Sequence, residues 1–403
     1  MALCRICKNK LIRIIKFRNI SLVGNFYRKK KSLKKYKISL NFCKICKHVQ
    51  ISEIINPDLL FKNYLWETGV SKTNINLIKT FIEKLKKFKI KKNSKILEIA
   101  SNDGSLLDIV KKKFNCFVLG IDPAKNLIKN KKKNFTTISD YFNYRSSVKI
   151  KKKFENFDLV IARNVVAHVK NPNEIFKGVE NILKKTGQFV LEVPHFYNIF
   201  KLNQYDNVFH EHIGFHSLKS IIDLSQRSNL KVFNVEKIDS QGGSIRCYVC
   251  KKNSSQKISP KIKSILIEEA KLGLYSSSKL KLFKKKILSH ISEMRSLIKF
   301  VKNQKKRISV YGASGKGQAL MQYCNLNNKI IDYVFDKSKL KQNCFTPGTL
   351  IKIKSPKEIK KIKTHYLLIL SWNIKDEIMK QENNFLKKGG KFIIPFPHPR
   401  VIN

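Results

Sequence analysis

No stretch of this sequence approaches the roughly 18 consecutive apolar residues that a membrane helix requires, so a membrane-spanning protein is not expected. No secretory leader is expected either, since Cys4 and Cys7 come early and no continuous apolar core follows them. The expectation is a cytoplasmic protein with reduced thiols. Acidic residues are scarce, with 28 Asp and Glu against 83 Lys and Arg and a formal net charge of +55. Arginine is scarce as well: the excess is overwhelmingly lysine, accompanied by abundant Ile and Asn, and all three are favoured by AT-rich codons. The lysine clusters at Lys29–Lys31, Lys111–Lys113, Lys131–Lys133 and Lys284–Lys286 are scattered along the chain. A nucleic-acid binder more often gathers its charge on one face, with Arg and aromatics interleaved. The composition therefore reads as a solvated, Lys-rich surface, which still raises capture rates for anionic substrates.

With 403 residues and 42% hydrophobic content, the chain is long enough for two or three domains with sizeable cores. It opens on Cys4-x2-Cys7 and Cys43-x2-Cys46. Paired Cys-x2-Cys units supply four thiolates for a tetrahedral structural zinc. The long spacing between the pairs requires an inserted hairpin or loop, and nothing thioredoxin-like surrounds either pair. Cys247 and Cys250 differ: they lie in or beside the alternating stretch Ser244–Val249, where residues three apart face opposite sides. They read as core cysteines, as do Cys116 and Cys324.

The stretch Lys95–Val110, KILEIASNDGSLLDIV, is a short buried strand, a polar turn and a helix opening at Ser105. Such a turn offers free backbone N–H groups and a positive helix end to a nucleotide-like ligand. Its glycine pattern is incomplete. Counting from Glu98, the usual E-x-G-x-G-x-G positions hold Ala100, Asn102 and Gly104. Ala is small, and Asn tolerates the left-handed conformation better than most residues. Asp122 ends the next strand, Phe117–Ile121, about 20 residues on, where a ribose hydroxyl finds a carboxylate acceptor. Glu98, inside the first strand, suits S-adenosylmethionine better than a nicotinamide cofactor.

A helical pattern over Thr73–Phe88 precedes that strand; further strands are expected at Asp158–Ala162 and Gln188–Val193, with a helix at Asn173–Leu183. This alternation implies a doubly wound parallel sheet. Residues Pro260–Asn303 read as a connecting helical hairpin. A second α/β unit follows, with strands at Ile308–Tyr311, Ile331–Phe335, Tyr366–Leu370 and Lys391–Ile394. Its glycine-rich turn, Gly312-Ala313-Ser314-Gly315-Lys316-Gly317, leads into a helix at Gln318–Cys324; it resembles a phosphate cradle but lacks Walker spacing. The division expected is a zinc module at 1–72, a cofactor unit at 73–205, an active-site segment with helical connector at 206–303, and a C-terminal α/β unit at 304–403.

Asn207–Leu218, NVFHEHIGFHSL, places His210, Glu211, His212 and His216 within seven residues. No further carboxylate or His at a matching spacing suggests a catalytic metal. Polar loop residues are one reading; the sharper one is an acid/base site, with an imidazole as proton acceptor and a carboxylate to orient it.

Along nearly its whole length the chain resembles the sugar C-methyltransferases that act on nucleotide-linked 4-keto deoxysugars, including the 3-C-methyltransferases. The resemblance rests on the two cysteine pairs, Asn63-Tyr64-Leu65-Trp66, Glu98 to Gly104 and Gly120 to Ala124. It continues through Ala162 to Val169, Glu192-Val193-Pro194, His210-Glu211-His212 and Gly242 to Arg246. It ends with Gly312-Ala313, Lys316-Gly317, Asp336, Lys341-Gln342, Pro347-Gly348, Trp372-Asn373 and Gly389 to Phe392.

The resemblance implies a Rossmann-like class I methyltransferase domain between a structural zinc module and a Rossmann-like C-terminal domain. It makes His212 the base and Glu211 its acid/base partner, with His210 and Tyr64 as further catalytic candidates. Glu98, Ser101, Asn102, Asp103, Gly104, Asp122, Pro123, Asn164 and His168 would serve S-adenosylmethionine, with Asp140, Tyr141 and Phe142 flanking its adenine. Gly243, Ser244, Arg246, Gly312, Ala313, Lys316, Gly317, Asp336, Lys341, Trp372 and Asn373 would serve the sugar nucleotide. One departure stands out: the family usually has Tyr where this chain has Phe209, which removes a possible donor to the keto oxygen. No specific nucleic-acid or membrane partner is expected, and a monomer is the default. Two rival readings are an RNA methyltransferase and a non-catalytic sugar-nucleotide binder. The first wants an Asn/Asp-Pro-Pro-aromatic motif or a reactive Cys, where this chain has Asn164-Val165-Val166. The second leaves His-Glu-His without a purpose.

Overall fold

Each Cys-x2-Cys knuckle ends on a lysine in the left-handed conformation, Lys8 (φ 64°) and Lys47 (φ 59°), which turns the chain sharply back past its thiols. The structure is a computed structural model and describes residues 2–62, 64, 67–70, 72–129 and 134–403. Asn63, Leu65 and Trp66, together with Lys131–Lys133, lie outside the described residues. The knuckles flank three strands, β1 (Leu11–Lys16), β2 (Ser39–Cys43) and β3 (Val49–Ile51), which pair antiparallel.

The central unit follows, with β4 (Lys95–Ile99), β5 (Phe117–Ile121), β6 (Thr136–Ile138), β7 (Phe157–Arg163) and β8 (Leu183–Pro194). Helices at Lys72–Leu85, Ser105–Phe114, Tyr144–Phe154 and Pro172–Ile182 alternate with them. A two-residue strand, β9 (Gly214–Phe215), comes next, then a helix at Leu218–Gln226 and the hairpin β10 (Leu230–Ile238) and β11 (Ser244–Lys251). All of these strands but β9 form a seven-stranded sheet in the order β10-β11-β8-β7-β4-β5-β6, parallel except that β11 runs antiparallel to both neighbours. The sheet therefore continues past residue 205, where the sequence reading divides the chain. The hairpin, which carries the Gly242–Arg246 motif at its turn, belongs to the sheet by packing: Val235, Ile245, Cys247 and Val249 bury into the same core as β7 and β8. Cys250 points to the opposite face, into a second core beneath Ile78 and Phe81 of the Lys72–Leu85 helix, as strand alternation requires.

Two helices, Lys261–Leu272 and Ser277–Asn303, form the expected hairpin; Gly273 (φ 85°) stops the first and the Ser276 hydroxyl caps the second. The C-terminal unit holds β12 (Ile308–Tyr311), β13 (Val334–Phe335), β14 (Ile353–Lys354), β15 (Tyr366–Ile369), β16 (Lys391–Ile394) and β17 (Arg400–Ile402). Their order is β14-β13-β12-β15-β16-β17, with only β17 antiparallel. The strand expected from Ile331 shortens to β13, because Ile331 is spent in a turn bonded to Asn327.

The fourth strand of the N-terminal sheet is β9, giving the order β1-β2-β3-β9. The zinc module is thus built around the segment that carries His-Glu-His. One hydrophobic core runs from Ile14 and Phe42 through Phe209 and Phe215 to Val310 and Leu368. Burial on this scale, at about 25 cal/mol per Å² of apolar surface, makes these units one packed body rather than beads on a string. No helix of the described residues is long and apolar enough to cross a membrane.

Candidate active site

The turn after β4 is shaped by three left-handed residues, Ala100 (φ 56°), Asn102 (φ 52°) and Gly104 (φ 70°), the positions where the glycine pattern was expected. A non-glycine residue accepts this conformation only at some cost, so the loop is held from several sides. Asp122, 5% exposed at the end of β5, accepts from Asn102 N (2.7 Å) through Oδ2 and from Ala124 N (2.8 Å) through Oδ1. Gly120 is required beneath it, since a Cβ there would stand 2.6 Å from Ser101 Oγ. The Asn102 and Asp103 side chains face the other way. They accept from Thr68 N (3.0 Å) and Gly69 N (2.8 Å), fastening the preceding segment over the loop.

Beside this loop opens a cleft of about 750 Å³. One end is lined by Glu98, Ser101, Asn102, Asp122 and Pro123, with Asp140, Tyr141 and Phe142 on one flank and Asn164 and His168 on the other. Asp103 and Gly104 are not in its wall; they shape the loop from behind. Phe61 closes edge-on over the His168 ring at 5.8 Å.

The middle of the cleft is lined by Tyr64, Glu211 and His212. His212 Nδ1 lies 2.8 Å from the Asn207 carbonyl. A carbonyl only accepts, so Nδ1 carries the proton and Nε2 the lone pair. Phe209 lies 4.1 Å from the His212 ring and His168 4.9 Å from it, centroid to centroid. Burial, then the neighbouring His168 and Lys316, push the His212 pKa well below the ordinary imidazole value, so the ring is neutral. Burial pushes His168 down to about 4 in the same way. Burial raises Glu211 to about 7, against the pull of Lys341 and of a hydrogen bond with Tyr64. His210 is turned out of the cleft: its Nε2 lies 3.0 Å from the Lys37 carbonyl, under the Tyr36 ring.

The far end is built by the C-terminal unit. Ala313, Lys316, Asp336, Lys341 and Asn373 line it. Asp336 accepts from Ala313 N (2.7 Å), holding the glycine-rich turn, and Lys316 Nζ donates to the Gln241 carbonyl (2.5 Å). Gly312 (φ 95°) and Gly317 are packing positions, against Ser371 and Leu370. Four other expected substrate residues stand behind the wall. Gly243 packs on Asn198, Ser244 Oγ donates to the Ser240 carbonyl, Arg246 pairs with Glu192 and Glu236, and Trp372 Nε1 donates to Asp206 Oδ2 (2.7 Å).

Several residues of the cleft and its support have no counterpart in the sequence reading. Gly24 and Phe26, from the zinc module, line the cleft, with Gly24 tight against Glu211. Phe26 lies under the Lys341 ammonium. Asp206 is fully buried beside Asn207, which holds His212. It stands one residue before the motif and was legible as a carboxylate there; Gly24 and Phe26 carry no local signal.

Away from the cleft, the Sγ atoms of Cys4, Cys7, Cys43 and Cys46 all lie within 4.8 Å of one another, with Cys4–Cys46 at 3.4 Å and Cys7–Cys43 at 3.3 Å. Tetrahedral Zn–S bonds of about 2.3 Å set sulfurs about 3.8 Å apart, so the four thiols fit zinc. The hydrogen bond from Cys46 lowers Cys4 to about 5, while burial raises Cys43 to about 11, the pattern of crowded thiols that a cation relieves.

The chain matches three family models: a zinc binding domain over residues 4–61, a methyltransferase domain over 72–235, and the C-methyltransferase C-terminal domain over 239–397. It is similar to C-methyltransferase NovU of Streptomyces niveus, with 29% identity over 407 residues that cover 99% of this chain and 96% of that one. Among solved structures it is similar to a SAM-dependent methyltransferase from Anabaena variabilis, with 13% identity, a TM-score of 0.36, and 44% and 85% of the two chains covered. The magnesium protoporphyrin IX methyltransferase of Synechocystis with bound SAM is 9% identical, with a TM-score of 0.33 and 44% and 79% covered.

Proposed function

For a chain that belongs to the SAM-dependent C-methyltransferases, we propose that the acceptor is a nucleotide-linked 4-keto deoxysugar, methylated on the carbon beside the ketone. The observation that carries this reading is the single cleft in which Asp122, His212 and the Gly312–Gly317 turn meet. Bound at Ser101, Asn102 and Asp122, S-adenosylmethionine supplies an electrophilic methyl group on a sulfonium. Asp122 is the acceptor for the ribose hydroxyls, and Asp140 to Phe142 flank the adenine.

His212 does the proton work. Its Nδ1–H is anchored on the Asn207 carbonyl, leaving Nε2 to take the proton from the carbon beside the ketone. What remains on the sugar is an enolate whose carbon is the nucleophile. Glu211, ionised, sits one residue away and supports the imidazolium that forms. Tyr64, hydrogen-bonded to Glu211, keeps that carboxylate oriented. Lys316, half-buried at the cleft wall, offers the anionic substrate a positive charge that burial disfavours and Asp206 supports, and the backbone N–H groups of the glycine-rich turn suit a pyrophosphate. Phe209 leaves the enolate without a tyrosine hydroxyl at that position, so the burden of charge stabilisation shifts to Lys316. A biosynthetic reaction of this kind suits the cytoplasm, where the nine cysteines stay reduced.

The direct test is to incubate the enzyme with methyl-labelled donor and a panel of nucleotide 4-keto and 4-hydroxy sugars. Label is expected on carbon, and only with the keto substrates. Transfer to RNA, or to oxygen of the hydroxy sugars, would overturn this reading.

A further inference from the structure

Arg163 ends β7 and lines the cleft, yet neither the ribose site nor the proton-transfer site uses it. Its Nε donates to Glu192 Oε2 (2.9 Å), while Arg246 Nε takes the other oxygen, Oε1 (2.6 Å). Both guanidinium groups rest on the ring of Phe81, at 5.3 Å and 4.8 Å from its centroid. Arg246 spends its remaining reach on Glu236 (3.2 Å) and is 6% exposed; Arg163 keeps 14% of its side-chain surface open. Among the described residues, no hydrogen-bond acceptor meets the Nη1 and Nη2 atoms of Arg163. The anchored Nε fixes the plane of the fork, and the fork edge is the geometry that reads a carboxylate in two parallel hydrogen bonds.

The surroundings say which carboxylate. Ile99 stands opposite Ala162 in the β4–β7 ladder, so Arg163 lies beside Ala100, where the donor loop begins. Ile96 of β4 and Leu159 and Ile161 of β7 share the core that contains Phe81. By strand alternation Glu98 and Arg163 face that same side, and both line the cleft. An acidic and a basic side chain side by side at one end of a nucleoside site match the zwitterion of an α-amino acid.

We propose that Arg163 binds the α-carboxylate of the methionyl end of S-adenosylmethionine and thereby sets the direction in which the methyl group points along the cleft. Phe81, Glu192 and Arg246 are positioning residues that hold the guanidinium for this purpose. The proposal rests on the donor, and is independent of which sugar is methylated.

The test is calorimetric and needs no turnover. Wild type, Arg163→Gln, Arg163→Lys and Asp122→Ala are titrated with S-adenosylmethionine and with its decarboxylated analogue. Wild type is expected to prefer the carboxylated donor by roughly 10–100-fold, the range of a charge-assisted pair. Arg163→Gln is expected to erase that preference while binding the decarboxylated analogue as wild type does, which also reports that the variant is folded. Arg163→Lys restores part of the preference, since it returns the charge without the fork. Asp122→Ala is expected to weaken both ligands equally and keep the preference, so a failure of the ribose placement is read separately. A wild type with no preference, an Arg163→Gln that retains it, or an Arg163→Gln that loses both ligands together would overturn the proposal.

Discussion

Glu211 is the residue whose protonation matters most near neutral pH. Burial raises its pKa to about 7 from an ordinary 4.5. A carboxyl raised on folding contributes stability that is complete below about pH 4.5 and is lost as pH rises through 7, because an ionised carboxylate is then held in a poorly solvated place. Glu211→Gln is therefore expected to match wild type in urea unfolding at pH 5 and to gain on the order of 1–3 kcal/mol over it at pH 8. If the ionised carboxylate supports His212 as proposed, wild-type turnover is expected to rise with pH around 7 and the same variant to lose that rise. An equal stability difference at both pH values would mean that Glu211 is not titrating there. At this scale much was legible beforehand. The His-Glu-His segment, Asp122 and the tolerance of Asn102 for a left-handed turn follow from residue chemistry alone. What chemistry alone missed is direction: His210 and His212 are two apart, yet one leaves the cleft for the Lys37 carbonyl and the other enters it. In a loop, no periodicity says which side chain points in.

Among the elements, β9 matters beyond its length. It is a two-residue strand, but it joins the zinc module to the His-Glu-His segment through Val49–Phe215 and Gln50–Gly214 pairing and through Ile51 N donating to the Ile213 carbonyl (3.0 Å). Thiolate-bound zinc contributes on the order of 10 kcal/mol to small modules, so its removal should be felt at Glu211 and His212. Chelation is expected to abolish amide protection in β1–β3 and, with them, at Ile213–Phe215, while β4 and β5 stay protected in hydrogen exchange. Unchanged protection at Ile213–Phe215 in metal-free protein would separate the zinc site from the His-Glu-His segment. The strands β4, β5, β12 and β16 were readable because three or four apolar residues in a run of four or five between turn signals have few other uses. A two-residue strand has no pattern to read; the alternation of Ser244–Val249 marked β11 as a strand, but nothing local says that it and β10 extend the central sheet beyond residue 205.

For the whole molecule, the informative feature is that three separate parts of the chain wall one cleft: Gly24 and Phe26, the central sheet, and Ala313 with Lys316 and Lys341. Long-range ties hold them in place, including Ser21 N to Gln322 Oε1 (2.7 Å) and the Tyr27–Phe345 bridge. Such pairings lie some three hundred residues apart, and no local pattern announces them; the order of units was legible, but not the way the first closes over the last. Charge belongs to this scale too. A net +55 should draw an anionic substrate toward the cleft, an effect that salt screens within about 10 Å at 0.1 M. Raising salt from roughly 0.05 to 0.3 M is expected to lower kcat/KM for the sugar nucleotide several-fold with little change in kcat. A kcat/KM indifferent to salt would confine the lysines to solubility.

The central claim is that His212 removes a proton from the carbon beside a sugar ketone. The most direct measurement leaves the methyl donor out: enzyme and nucleotide 4-keto sugar are incubated in deuterated water, and the label at that carbon is followed by NMR. The wild type is expected to exchange the proton, and His212→Asn, which keeps an amide to meet the Asn207 carbonyl, to exchange it roughly 10²–10⁴-fold more slowly while binding S-adenosylmethionine normally. Exchange at the wild-type rate in His212→Asn would contradict the account and move the base to Glu211 or Tyr64.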